Sequence, residues 1–206
     1  MTLLPKQHGF RRRYYTRAEI AAHNSGDDAW VSIDGNVFDL TELIAANRGT
    51  LTQPLVANAG KDLSHWFRNG QVKTYYDEIF VPTRQFLHVR EGPATPWWQD
   101  EQLVVGKVGK SRKVRVVNTL THQADVLEVC SEETLAEIQT RYVEYNAHAT
   151  SYTWKQLARD SFRPMDMAKT LDEAGLKDPD LHHLNVDPDD YIPTLHVYFN
   201  DDLSEK

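Results

Sequence analysis

The chain has 206 residues, 40% of them hydrophobic, which suits two small cores better than one large one. Its formal net charge of -7 excludes non-specific nucleic-acid binding, because phosphate contacts need clustered Lys and Arg and Arg11-Arg12-Arg13 is the one basic run. Cys130 is the only cysteine, which excludes an internal disulfide or a thiolate metal cage. A single thiol fits a reducing compartment. No apolar run approaches the roughly 20 residues of a membrane span. The opening "MTLLPKQHGFRRRYY" places its charges after a very short apolar stretch, the reverse of a secretory signal. A cytosolic or cytoskeletal protein is expected, without nucleic-acid or membrane partners.

In chain order, residues 1–80 begin with "YYTRAEIAAHN", a short helix capped by Thr16, with Glu19 completing a capping box. "AWVSIDGNVFDL" predicts two strands around the tight turn Asp34-Gly35. Helical pieces are expected at "LTELIAAN", "QPLVANAG" and "KDLSHWFRNG", with Gly60 and Gly70 ending two of them. Short helices around a small hairpin form a shell, folded about a bound group or about its own aromatics.

Residues 81–112 read as a connector: a strand at "VPTRQFLHV", then a loop at "EGPATPWWQDE" broken by Pro93 and Pro96. Trp97 and Trp98 either pack onto a domain or stand out as anchors for a partner protein. A strand pair with a turn accounts for Gly106 and Gly109 in "VVGKVGKSRK". Residues 113–206 predict strands at "KVRVVNTL" and "ADVLEV", joined at Thr121-His122-Gln123. A helix follows over "SEETLAEIQTRYVEYN", with Ser131 as N-cap, Glu132 and Glu133 at its positive end, and Leu135, Ile138 and Tyr142 as its buried stripe. "SYTWKQL", a turn at "TLDEAGL" and a last strand "PTLHVYFN" complete a ββαβ…β order. A helix across a mixed sheet in that order is the β-grasp pattern.

Catalytic constellations are scarce. The histidines show neither HExxH nor HxxxH spacing, so zinc has no support. His182-His183, in the acidic loop 177–190, reads as solvated, and that loop lacks the EF-hand pattern. Cys130 ends a strand just before a helix with no histidine beside it in sequence, so it reads as structural rather than nucleophilic. GxSxG, P-loop and GxGxxG motifs are all missing. An enzyme is not expected.

Residues 14–75 resemble a cytochrome b5-like haem-binding domain, through Tyr15, Trp30, Val37, Asp39, Leu40, Thr41, Ala59, Gly60, Asp62 and Phe67. In that family a His-Pro-Gly-Gly loop supplies one axial histidine, and a second follows a few residues after the Phe. Here the loop is Asn47-Arg48-Gly49-Thr50 and the second position falls at Val72. The resemblance therefore implies the scaffold without its axial donors, and no cofactor is expected. The alternative is haem held by His65, the one histidine nearby, with Tyr75 or Tyr76 as a second donor, tyrosine being a known haem ligand.

Residues 113–206 resemble a ubiquitin-like domain, ending "DDLSEK" without a Gly-Gly tail, which implies an interaction module rather than a conjugated modifier. Together with "RRYYT", "LSHWF", "PWWQ", "NTLT", "SYTWK" and "YFNDDL", this order resembles the cytochrome b5 domain-containing protein 1 family. The fold class implied is α+β, a cytochrome b5-like domain followed by a ubiquitin-like β-grasp domain. The function implied is a non-catalytic component of the motile-cilium axoneme, associated with radial spokes, with axonemal proteins as partners. A haem-based redox or sensor protein and a ubiquitin-like adaptor are the alternatives.

Overall fold

The structure is a computed structural model that describes residues 13–50, 52–68, 71–72, 95–158, 161–177, 187 and 191–199. The chain divides into two compact units, Met1–Val108 and Gly109–Lys206.

The first unit opens with β1 (Tyr14–Tyr15) and α1 (Arg17–Ala22). The predicted capping box is present: the Thr16 hydroxyl accepts from the Glu19 N–H, and the Glu19 carboxylate accepts from the Thr16 N–H. β2 (Asn24–Ser25), β3 (Asp28–Ile33) and β4 (Asn36–Asp39) follow. The turn between β3 and β4 places Asp34 at φ 48° and Gly35 at φ 81°, the left-handed pair that an Asp-Gly hairpin needs. Next come α2 (Thr41–Ala46) and α3 (Gln53–Ala57), where the second and third helical pieces were predicted. Gly60 is left-handed at φ 81°, two residues beyond the C-cap Asn58 of α3; Gly70 lies outside the described residues.

The stretch "KDLSHWFRNG" differs from expectation. It forms a single 3-10 turn, Ser64–Trp66, and then β5 (Phe67–Arg68), which pairs antiparallel with β6 (Gln71–Val72). The reason is where its backbone is spent. Ser32 of β3 donates to the Lys61 carbonyl, and the Leu63 N–H donates back to Ser32, so the chain enters this stretch bridged to a strand. Ser64 then donates both its N–H and its hydroxyl to the Asp62 carboxylate.

Residues 97–108, read from sequence as connector, lie within the first unit. Two 3-10 turns, Trp97–Gln99 and Glu101–Leu103, lead into β7 (Val104–Val108). The sheet order is β1-β7-β4-β3-β2, with β1 parallel to β7 and the other pairs antiparallel. Gly106 is where β1 comes closest: a Cβ there would lie 2.7 Å from the Tyr15 ring and 2.9 Å from the Arg13 carbonyl. Gly106 and Gly109 therefore do not sit in a hairpin, since β7 and the next strand belong to different sheets. The core gathers Val31, Phe38, Leu40, Ile44, Leu55, Leu63, Trp66, Phe67 and Trp97.

In the second unit, β8 (Ser111–Asn118) and β9 (Ala124–Cys130) form the predicted antiparallel pair, with His122 left-handed in the turn. α4 (Leu135–Tyr142) buries Leu135, Ile138 and Tyr142 as its spacing predicts. Its N-cap is Thr134, with Glu137 completing a capping box, and not Ser131. Glu133 is the reason: its carboxylate accepts the Cys130 N–H and the Arg141 Nε–H, which holds residues 131–133 in a turn before the helix begins. β10 (Tyr152–Ala158), β11 (Ser161–Pro164) and β12 (Thr194–Phe199) complete the sheet, in the order β11-β10-β12-β8-β9. β12 runs parallel to β8 in the interior, and the other pairs are antiparallel. β11 was not expected from the sequence; all four of its residues are exposed and one is proline, so it carries no strand-like apolar signal.

Candidate functional site

The loop after α2 is the first place to look for a bound group. Asn47 is the C-cap of α2 and half-buried. Its Nδ2 donates to the Leu43 carbonyl at 2.9 Å and its backbone N–H donates to the Ile44 carbonyl, so the side chain closes its own helix. Arg48 reaches across to Asp27, Nη2 to Oδ1 at 2.7 Å, with side chains 71% and 85% exposed. An ion pair so open to water contributes little. Gly49 supplies its carbonyl to the Thr52 hydroxyl at 2.9 Å, which starts α3.

A cleft of about 700 Å³ opens beside this loop, with Ile44, Val56 and Ala57 as its apolar part and Asp27, Arg48, Thr52 and Gln53 among its polar lining. Among the described residues no imidazole, thiol, thioether or phenol lines it. Among the described residues no group of three or more His, Cys, Asp or Glu side chains is placed to hold a metal ion.

His65 is exposed on the 3-10 turn, its ring edge-on to Trp66 at 6.2 Å, and it does not line that cleft. Tyr75 and Tyr76, His182-His183 and nearly all of the acidic loop 177–190 lie outside the described residues. A low-spin b-type haem needs two strong axial donors. An asparagine amide engaged with its own helix and a valine at the second family position do not supply them. The donor set at these two positions does not fit a bis-histidine haem.

The tryptophan pair is a correction to the anchor reading for Trp97. Trp97 is 6% exposed, edge-to-face with Phe38 at 6.2 Å, Phe67 at 6.4 Å and Trp98 at 5.7 Å. Those rings leave no face of Trp97 for a partner. Its Nε1 has no hydrogen-bond partner among the described residues. Trp98 is half-buried and packs on the same core, 5.7 Å from Phe67.

Several polar groupings were not anticipated from sequence. His23 stacks on Trp30 at 3.8 Å, with its Nδ1 2.6 Å from the Asp28 carboxylate, a pairing made when the β2–β3 turn folds "HNSGDD" back on itself. The Asp62 carboxyl is held below its usual range. Burial alone would raise it, but hydrogen bonds from Ser64 and the nearby Arg17 charge outweigh that. In the second unit Glu133 and Arg141 form an ion pair with side chains 2% and 10% exposed. Arg141 Nη2 also lies 3.7 Å from the buried Cys130 sulfur, which the sequence marked as structural. The i, i+8 spacing of Glu133 and Arg141 carries no local signal, because the acid lies before the helix.

Residues 16–108 match the family model for the cytochrome b5-like heme/steroid binding domain. The first unit is therefore a cytochrome b5-like domain, closed at its C-terminal end by β7. Over 95% of its length the chain is 44% identical to cytochrome b5 domain-containing protein 1 of Xenopus laevis, covering 98% of that protein. It is 39% identical to the Homo sapiens protein of that name, over 95% of this chain and 93% of the other. Cytochrome b5 of Drosophila melanogaster is 36% identical over only 27% of the chain. The chain belongs to the cytochrome b5 domain-containing protein 1 family. No helix among the described residues is long and apolar enough to cross a membrane.

Proposed function

We propose that this chain is a non-catalytic docking component of the motile-cilium axoneme, associated with radial spokes, and that its b5-like unit works without haem. The observation that carries the reading is the loop after α2. It keeps the scaffold's helix-turn-helix, but Asn47 stands at the axial position and turns its amide onto its own helix. A b5 domain without axial donors loses one-electron chemistry and retains a rigid surface. The axonemal setting is what the resemblance of the whole chain implies. The second unit reads as a ubiquitin-like β-grasp module, a reading supported by its antiparallel β8–β9 pair, the helix α4, and the last strand set parallel beside the first. Use of that module as a degradation adaptor remains a weaker third reading, since one fold serves many roles.

Demembranated axonemes provide the test. The endogenous chain is expected to stay with the axoneme at low salt and to leave under the conditions that extract radial spokes. Free release at low salt removes the axonemal reading. The second reading, a haem protein, draws on the printed name of the matched family model and on His65, an exposed imidazole in the b5-like unit. If His65 holds iron, His65→Ala loses the haem absorbance; an unchanged spectrum rules out that ligand.

A further inference from the structure

The cleft beside the loop after α2 lacks iron donors but has a chemistry of its own. Its floor is apolar: Ile44 of α2 is buried, and Val56 of α3 is half-buried. The β2–β3 turn supplies a second wall and comes so near α3 that a Cβ at Gly26 would lie 3.6 Å from both Val56 methyls. The loop supplies a third wall, fixed where the buried Thr52 hydroxyl donates to the Gly49 carbonyl. A volume of about 700 Å³ is within the range of small-molecule sites, which are mostly apolar with a few polar groups that set orientation.

One charge of each sign lines this cleft. Arg48 Nη2 meets Asp27 Oδ1 at 2.7 Å, a contact between the loop and the β2–β3 turn. It engages one nitrogen of the guanidinium and one oxygen of the carboxylate. Among the described residues the rest of the Arg48 fork, the second Asp27 oxygen and the Gln53 amide make no hydrogen bond or ion pair. A pair this exposed costs little to part.

We infer that this cleft binds a small zwitterion with an apolar side chain, of the class of the free aliphatic amino acids. The ligand's carboxylate takes the Arg48 fork, in the bidentate geometry that a guanidinium favours. Its ammonium takes the Asp27 carboxylate, and its side chain lies on Ile44 and Val56. Charge complementarity decides the class. A plain carboxylate is drawn to Arg48 but repelled by Asp27, and a plain amine meets the reverse. A zwitterion gains from both, and it replaces the parted ion pair with two new ones. The inference rests on the haem-free reading of this loop and is independent of the axonemal setting.

The experiment is an NMR titration of the 15N-labelled full chain with L-leucine. Three analogues each remove one feature: leucinamide the carboxylate, isocaproate the ammonium, glycine the apolar side chain. Saturable shifts at Gly26, Arg48 and Val56 with leucine are expected, with each analogue about tenfold weaker. Arg48→Gln should weaken leucine about tenfold and leave leucinamide no weaker. Asp27→Asn should bring isocaproate up towards leucine, a change of preference that a merely structural role would not produce. Spectral dispersion shows that each variant is folded. Failure of leucine to saturate by about 20 mM, shifts centred away from the cleft, or equal binding of any analogue overturns the inference. A haemin titration of the same sample keeps the two readings apart. A stoichiometric low-spin spectrum that displaces leucine overturns both, whereas no leucine binding and no such spectrum overturns this inference alone.

Discussion

His196 shows how one side chain can set a pH response. Its ring packs against Phe162, and its Nδ1 is enclosed without a hydrogen-bond partner among the described residues. Burial pushes its pKa below the ordinary histidine value. The unfolded chain therefore takes up a proton at a higher pH than the folded one. Stability from the neutral ring is present above about pH 6.5 and is lost as the pH falls through the folded value. Thermal melts between about pH 7 and pH 5 should show the midpoint falling, with less of a fall in His196→Leu. An identical slope in the variant would assign the pH response to other groups. Glu133 and Arg141 make a second residue-scale prediction. Glu133→Ala takes the buried carboxylate away from the Arg141 guanidinium and from the Cys130 N–H, which should cost about 3–5 kcal/mol in denaturant unfolding. The double change Glu133→Leu with Arg141→Met should cost clearly less. Neither feature was legible in the sequence: His196 meets Phe162 only in the folded sheet, and Glu133 meets Arg141 only because the turn before α4 sets the acid against the helix.

At the scale of elements, local chemistry was readable and long-range pairing was not. The Thr16–Glu19 box, the Asp34-Gly35 turn and the Leu135–Ile138–Tyr142 stripe all follow from spacings of a few residues, and each forms as expected. The 3-10 turn at Ser64–Trp66 was misread as a helix because the bridge from Ser32 to Asp62 cannot be seen from residues 61–70 alone. The same holds for β7, which looked like connector because its partners, β4 and β1, lie at least 65 positions earlier, as in Phe38 opposite Val104. Gly106 is the element-scale test of that pairing. Gly106→Ala sets a methyl against the Arg13 carbonyl and the Tyr15 ring, so β1 must move away. Amide exchange at Lys107, which donates to the Arg13 carbonyl at 2.8 Å, should quicken by more than tenfold, the equivalent of about 1.4 kcal/mol. Unchanged protection there would mean that β1 contributes nothing to the sheet edge.

For the whole molecule, the family's scaffold and the family's chemistry separate cleanly by residue type. The frame rests on buried apolar positions such as Val37, Leu40 and Phe67, and these remain. The chemistry rests on two donors carried outside that frame, and Asn47 and Val72 stand in their places. Sequence reading reached this contrast because the loop follows directly from α2 and can be counted off. Trp97, offered together with Trp98 as a partner contact, belongs to the core that holds the frame. The direct test of the central claim is a haemin titration of the purified full chain, followed by absorbance in the Soret region. A bis-donor site gives a saturable one-to-one spectrum with sharp low-spin bands. This chain is predicted to show only the broad, non-saturating spectrum of loosely associated haemin, and a stoichiometric low-spin complex would contradict the account.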